Sequence, residues 1–181
     1  MTHVPAPAPA LLRSFDRSLP MGLLRAREAA MRLFRAHLAH HDLTEQRWRV
    51  LRALSAAACP TAGDDGGDGG GPVLDVGDVA ERTFLLGPSL SRILGDLEAR
   101  GLVDRTVDAD DQRRSLLSLT DAGRDLVAAV APESEAIYEA IEGRFGAERL
   151  GGLLADLRDL EAALADVSPI PTTPTNERTA L

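Results

Sequence analysis

A mainly α fold, a winged helix-turn-helix with flanking dimerisation helices, is the architecture this sequence predicts, and three observations carry it. A helical segment with sharp ends, Pro88 to Gly101, is followed at once by two short apolar runs around a charged turn. A shorter helical segment stands just before it, so the order is helix, linker, helix, hairpin. Leucine-rich helical segments lie on both sides and offer more apolar surface than so small a core needs, which predicts a symmetric dimer.

Taken in order, residues 1–17 open with Pro/Ala alternation and no core pattern, and read as a mobile arm. The first helix runs from near Pro20 to about His40, since a proline suits the first turn, where its missing N–H is not needed. Leu23, Ala30, Phe34 and Leu38 mark its apolar stripe, with Arg25, Arg32 and Arg35 largely off it. Thr44 is the expected N-cap of the second helix. Leu43 before it and Trp48 four residues after it have the spacing of a hydrophobic staple, and Trp48, Leu51 and Leu54 form the expected buried face.

Gly63 to Gly71 holds six glycines and three aspartates and predicts a flexible surface loop, placed within residues 60–72. Asp64, Asp68, Gly69 and Asp75 fall on calcium-loop positions. The third position is Gly66, however, and the twelfth is Asp rather than the bidentate Glu, so no calcium site is expected. A short helix follows from Asp75 to Thr83, with Val76, Val79 and Ala80 inward. In the next helix Pro88 sits in the first turn and Gly101 supplies a left-handed cap. Leu90, Leu94 and Leu97 are its buried stripe, and Ser89, Ser91, Arg92 and Asp96 lie outward. Leu102 with Val103, and Leu116, Leu117 and Leu119, read as two strands joined by the polar turn Asp108 to Arg114. Thr120 and Asp121 open a long helix carrying Leu126, Val130, Ile137, Ile141 and Phe145, with a kink expected near Pro132. A last helix spans about Ala147 to Asp166, and residues 167–181 read as a flexible tail.

Composition excludes several kinds of chemistry. All 20 basic residues are arginine, which removes a Schiff-base lysine and a lysine-bearing phosphate loop. The single cysteine, Cys59, removes an internal disulfide framework and a cysteine-based zinc site. No nucleophile is paired with a base, so no enzyme is expected. His37 and His41 stand four residues apart on one helix and could share a metal, but they read as a polar helix end, and no metal or cofactor is expected. No apolar run approaches the ~20 residues needed to cross a bilayer. The first ten residues lack the pattern of a secretory signal, so a cytoplasmic protein is expected. The net charge of −8 counts against a nucleic-acid partner, yet its distribution softens the objection. Leu11 to Ser55 holds nine arginines against four acids, whereas Thr120 to Asp166 holds four against eleven.

The second helix of such a pair is shaped to enter a DNA major groove. Its outer face offers hydroxyls and a guanidinium to phosphates or base edges, and Arg113 and Arg114 at the hairpin tip suit phosphate or minor-groove contact. The run Gly87-Pro88-Ser89-Leu90-Ser91-Arg92-Ile93-Leu94-Gly95-Asp96-Leu97-Glu98-Ala99-Arg100-Gly101-Leu102-Val103 resembles the recognition helix of the MarR transcriptional regulators. Asp111-Gln112-Arg113, followed by Leu119-Thr120 and Gly123, resembles that family's wing and the start of its next helix. The resemblance spans about residues 18–166, as dimerisation helices 18–41 and 120–166 around a DNA-binding lobe 44–119. Within the family, Arg17-Ser18-Leu19-Pro20 and Val130-Ala131-Pro132-Glu133-Ser134-Glu135-Ala136-Ile137-Tyr138 are most similar to regulators of homoprotocatechuate degradation operons. The Gly/Asp insertion departs from the pattern, because relatives have a short connection there.

The resemblance implies a homodimeric repressor on a palindromic operator in double-stranded DNA, released by a small aromatic carboxylate or phenol. By the same likeness Pro88, Ser89, Ser91 and Arg92 face the major groove, Arg113 enters the minor groove, and Asp111 holds the wing by pairing with an arginine. For the effector, Arg25 is the candidate for its carboxylate and Trp48 for its ring, with Ser18 and Met21 nearby. Two other readings stay open: a winged-helix protein-interaction module without its own operator, and a redox-sensing regulator using Cys59.

Overall fold

The computed structural model describes residues 14–57, 73–109 and 111–167. Six helices and three strands follow in the order α1 (Leu19–His40), α2 (Glu45–Ala57), β1 (Leu74–Asp75), α3 (Val76–Thr83), α4 (Gly87–Ala99), β2 (Val103–Val107), β3 (Ser115–Leu119), α5 (Asp121–Phe145) and α6 (Ala147–Ala165). A single 3-10 turn, Phe15–Arg17, precedes α1, so regular structure begins inside the segment expected to be an arm. Cys59, the whole Gly/Asp loop and all but the first residue of the expected tail lie outside the described residues.

Local chemistry explains the boundaries. The Arg47 N–H donates to Thr44 Oγ1 at 3.3 Å, which satisfies one orphan donor at the start of α2. Asp75 caps α3 rather than belonging to it: the Asp78 N–H donates to its carboxylate at 2.7 Å, and the Asp75 N–H returns to Asp78 at 3.3 Å. At the end of α4, Gly101 takes φ +65°. Its N–H reaches the Glu98 carbonyl at 2.9 Å, and the Leu102 N–H reaches that of Leu97 at 3.0 Å. These paired bonds are a Schellman ending, which a glycine enters without steric cost.

The sheet has the order β1-β3-β2, both pairings antiparallel. The hairpin was legible; the two-residue β1 was not, and it pairs Leu74 with Leu117 and Asp75 with Leu116. Beneath the sheet lie Val50, Leu51 and Leu54 of α2, Val79 of α3, and Leu90, Ile93, Leu94 and Leu97 of α4, all buried. Thr120 locks the hairpin to α5. Its hydroxyl donates to the Gly101 carbonyl at 2.7 Å and accepts from the Gly123 N–H at 3.0 Å.

Three expectations about buried faces are corrected. On α1 the buried residues are Phe34, His37 and Leu38, while Leu23 is exposed, because the side chains that other elements of this single chain bury lie in the C-terminal half of that helix. On α2 Val50 takes the buried place expected for Trp48, which is half-buried. His37 is not part of a polar helix end but sits at 6% exposure.

The chain divides into two compact units with the boundary between Ile137 and Tyr138. In the second unit Gly146, at φ +96°, turns the chain between α5 and α6, and the Arg149 guanidinium lies 4.4 Å from the Phe145 ring centroid. None of the leucines of α6 is buried, and Leu153, Leu154 and Leu164 are exposed. Among the described residues no helix is long and apolar enough to cross a membrane.

Candidate nucleic-acid interface

The exposed face of α4 carries Pro88, Ser89, Ser91 and Arg92 together, opposite the buried Leu90, Ile93, Leu94 and Leu97. Two hydroxyls, a guanidinium and the free N–H groups of a helix start thus face solvent on one side. Arg47 of α2 holds this helix at a fixed angle. Its Nη2 donates to Asp96 Oδ1 at 2.9 Å, and its Nε lies 2.8 Å from Oδ2 as an ion-pair contact without a second hydrogen bond. A cleft of about 180 Å³ opens beside that pair, lined by Thr44, Gln46, Arg47, Arg92, Ile93 and Asp96. Thr44, Gln46 and Arg47 were not legible as part of this face, since they lie about forty positions before the start of α4. The N-cap signal at Thr44 was nevertheless a pointer to an anion-seeking helix end.

The wing sorts its charges. Arg105 Nε donates to Glu98 at 2.8 Å, which fastens β2 to α4. Arg114, expected at the DNA, is instead engaged with Asp75 at 2.6 Å. This ion pair ties the hairpin to the cap of α3, because β1 runs alongside β3 and brings the two together. Asp111 likewise departs from its expected role: its carboxylate accepts the Arg113 N–H at 3.0 Å, shaping the tight turn, rather than pairing with an arginine side chain. Arg113 itself is exposed at the tip.

The Asp75 carboxyl is held below its ordinary value of 3.8, first by the Asp78 N–H and then by Arg114. A depressed carboxyl stabilises the fold above its ordinary value and loses that effect as pH falls through the lower folded value. Asp75→Asn is therefore expected to lower the melting temperature at neutral pH, with the gap to the parent closing as pH falls below 3.8. Thermal unfolding across that range checks it, and a gap independent of pH would contradict the assignment.

The effector candidates are more scattered. Ser18 and Met21 are half-buried, and the exposed Arg25 donates to Asp16 at 3.1 Å. Trp48 is half-buried with the Arg52 guanidinium 5.9 Å from its ring centroid, a residue that the sequence reading passed over. A second cleft, about 370 Å³, is lined by Arg35, Leu43, Thr44, Glu45 and Gln46. None of Ser18, Met21, Arg25 and Trp48 lines either described cleft.

Comparison with known proteins bears on this geometry. A family model described as the MarR family matches residues 66–114, from the Gly/Asp loop through α4 to the wing tip. The homoprotocatechuate degradative operon repressor of Escherichia coli is 39% identical over 133 residues, 74% of this chain and 80% of that protein. The HTH-type transcriptional regulator FarR of Neisseria gonorrhoeae is 39% identical over 155 residues, 84% of this chain and 97% of that protein. The solved structure of NadR in complex with 4-hydroxyphenylacetate superposes with a TM-score of 0.67 at 37% identity, covering 87% of this chain and 99% of that one.

Proposed function

Because the chain belongs to the MarR family, we propose that it is a sequence-specific transcriptional repressor, and not an enzyme, acting on operator DNA in the cytoplasm. The observation that carries this reading is the exposed Ser89, Ser91 and Arg92 face of α4 beside a wing whose tip presents Arg113. The wing's other two arginines, Arg105 and Arg114, are engaged in holding it. A helix for the major groove and an arginine for the minor groove make one bipartite reader.

The working unit is a homodimer. Leu19, Leu23, Leu24 and Leu33 on α1, and Leu153, Leu154 and Leu164 on α6, are exposed in the single chain, and a second copy is the partner that would bury them. Two copies present two recognition helices to a palindrome. The effector is a small aromatic carboxylate or phenol, in line with the ligand of one relative and the operon of another. Trp48 offers a ring face, and Arg25 or Arg52 offers a guanidinium for the carboxylate.

Fluorescence anisotropy on DNA from upstream of the protein's own gene tests the reading, with and without 3,4-dihydroxyphenylacetate and related aromatic acids. Tight binding that weakens steeply with salt and is released by one compound is the expected result. Absence of specific binding would favour a protein-interaction module. Binding that ignores every compound would remove this effector class. Arg25→Ala is expected to spare DNA binding and blunt release; an unchanged dose response there, with loss in Arg52→Ala, would move the carboxylate clamp to α2.

A further inference from the structure

We propose that His37, His41 and Glu133 bind a first-row divalent cation of the zinc class, joining the C-terminal end of α1 to the middle of α5. One donor atom from each of the three lies within 4.8 Å of the others. The two histidines are adjacent because four residues make about one helical turn, and their rings meet edge to face at 5.2 Å. Glu133 is 96 positions away from His37 and arrives through the fold, all three residues lying in the unit that ends at Ile137.

The hydrogen bonding points to a cation. His37 Nε2 lies 3.1 Å from the Val130 carbonyl, which can only accept, and 3.2 Å from the Ser134 hydroxyl, so a hydrogen on Nε2 satisfies the carbonyl. With the hydrogen there, the other ring nitrogen, Nδ1, faces a Glu133 carboxylate oxygen at 2.6 Å. Two lone pairs at that distance repel unless a proton or a metal lies between them. A ligating histidine typically donates its other ring N–H to a backbone carbonyl, and the Val130 contact has that form. His41 contributes the independent observation: its Nε2 is buried and has no hydrogen-bond partner. An unpartnered imidazole nitrogen one helical turn from His37 has a lone pair to offer a metal ion.

Size and softness select the ion class. Bonds of about 2.0–2.1 Å in a tetrahedral site separate the donors by roughly 3.3 Å. The donors lie within 4.8 Å of one another, and the 2.6 Å contact between His37 and Glu133 opens by about 0.7 Å to admit an ion at that spacing. Two imidazoles and one carboxylate suit Zn²⁺, Ni²⁺ or Cu²⁺ rather than Ca²⁺ or Mg²⁺, which prefer oxygen ligands. The Glu133 side chain is 62% exposed against 5% for His37, so the ion enters from the Glu133 side. This inference does not rest on DNA binding, because its readout is metal bound by the chain itself.

The full-length protein, stripped by a chelator and dialysed, would be titrated with Zn²⁺ against a chromophoric competitor, its metal content measured by elemental analysis, and Co²⁺ used as a spectroscopic probe. One ion per chain is expected, with Co²⁺ showing the visible absorption of a four-coordinate site. Glu133→Gln and His41→Ala should each weaken Zn²⁺ about 100-fold or more, since loss of even an outer partner costs roughly 10–100-fold. His40→Ala, at an exposed neighbour on the same helix end, should not. Glu133→Gln keeps shape at a largely exposed position, and circular dichroism on each variant separates lost ligation from lost fold. No stoichiometric ion, or affinity unchanged in Glu133→Gln, or affinity lost in His40→Ala instead, would overturn the site.

Discussion

Replacing Arg113 with alanine is expected to weaken operator binding about 10- to 100-fold and to lower the salt dependence by about one released counterion, while leaving the dimer intact. The geometry behind this is a division of labour among the wing arginines. Arg105 is spent on Glu98 and Arg114 on Asp75, each within 2.8 Å, so neither is available to DNA without breaking a strut. Arg113 is aimed outward by the turn that Asp111 shapes through the Arg113 N–H. The measurement is anisotropy over a salt series for parent and variant, with sedimentation to confirm the dimer. Equal affinity in both would sink the wing assignment. Arg114→Ala should behave differently: it lowers thermal stability as well as affinity, because it unfastens the hairpin from β1 and the cap of α3.

Gly123→Ala is expected to destabilise the fold by about 3 kcal/mol, at the upper end of what overpacking costs, and to lower the melting temperature by roughly 6–12 °C at equal protein concentration. A Cβ built on Gly123 meets the Leu102 carbonyl oxygen at 2.1 Å and the Leu119 side chain at 3.3 Å. The first of these is backbone and cannot rotate aside. That carbonyl also accepts the Thr120 N–H at 3.2 Å, so moving it disturbs the joint where α4, the hairpin and α5 meet. Thermal unfolding checks this, and a melting temperature within a degree or two of the parent would contradict the close approach. DNA affinity should fall as well, since the recognition helix and wing are both anchored at this joint.

What was legible in the sequence was legible for local reasons. The Thr44 cap, the Pro88 start and Gly101 end of α4, and the Thr120 cap of α5 each depend on residues within about one turn of each other, and each holds in the structure. The outward face of α4 followed from helical periodicity alone. Periodicity misled where burial depends on a partner. Leu23 of the α1 stripe and Leu153, Leu154 and Leu164 of α6 are exposed in the single chain, because an apolar stripe records which face is to be covered and not what covers it.

Side-chain partners were a different matter. Arg114 was read as a DNA contact because charge and position at a hairpin tip suit phosphate, and nothing nearby in sequence competes for it. The competitor, Asp75, is 39 positions away, beside β3 through a strand too short to leave a sequence signal. Arg47 and Asp96 are 49 apart, and His37 and Glu133 96 apart. The sequence by itself determined the order of the helices and the hairpin, the caps of α2, α4 and α5 and the buried face of α4, because these follow from backbone sterics, capping and apolar spacing over a few residues. The tertiary structure alone decided which arginine is free to meet DNA and which histidine is buried beside a carboxylate, because a charged side chain takes the nearest opposite charge in space, and chain folding sets that distance.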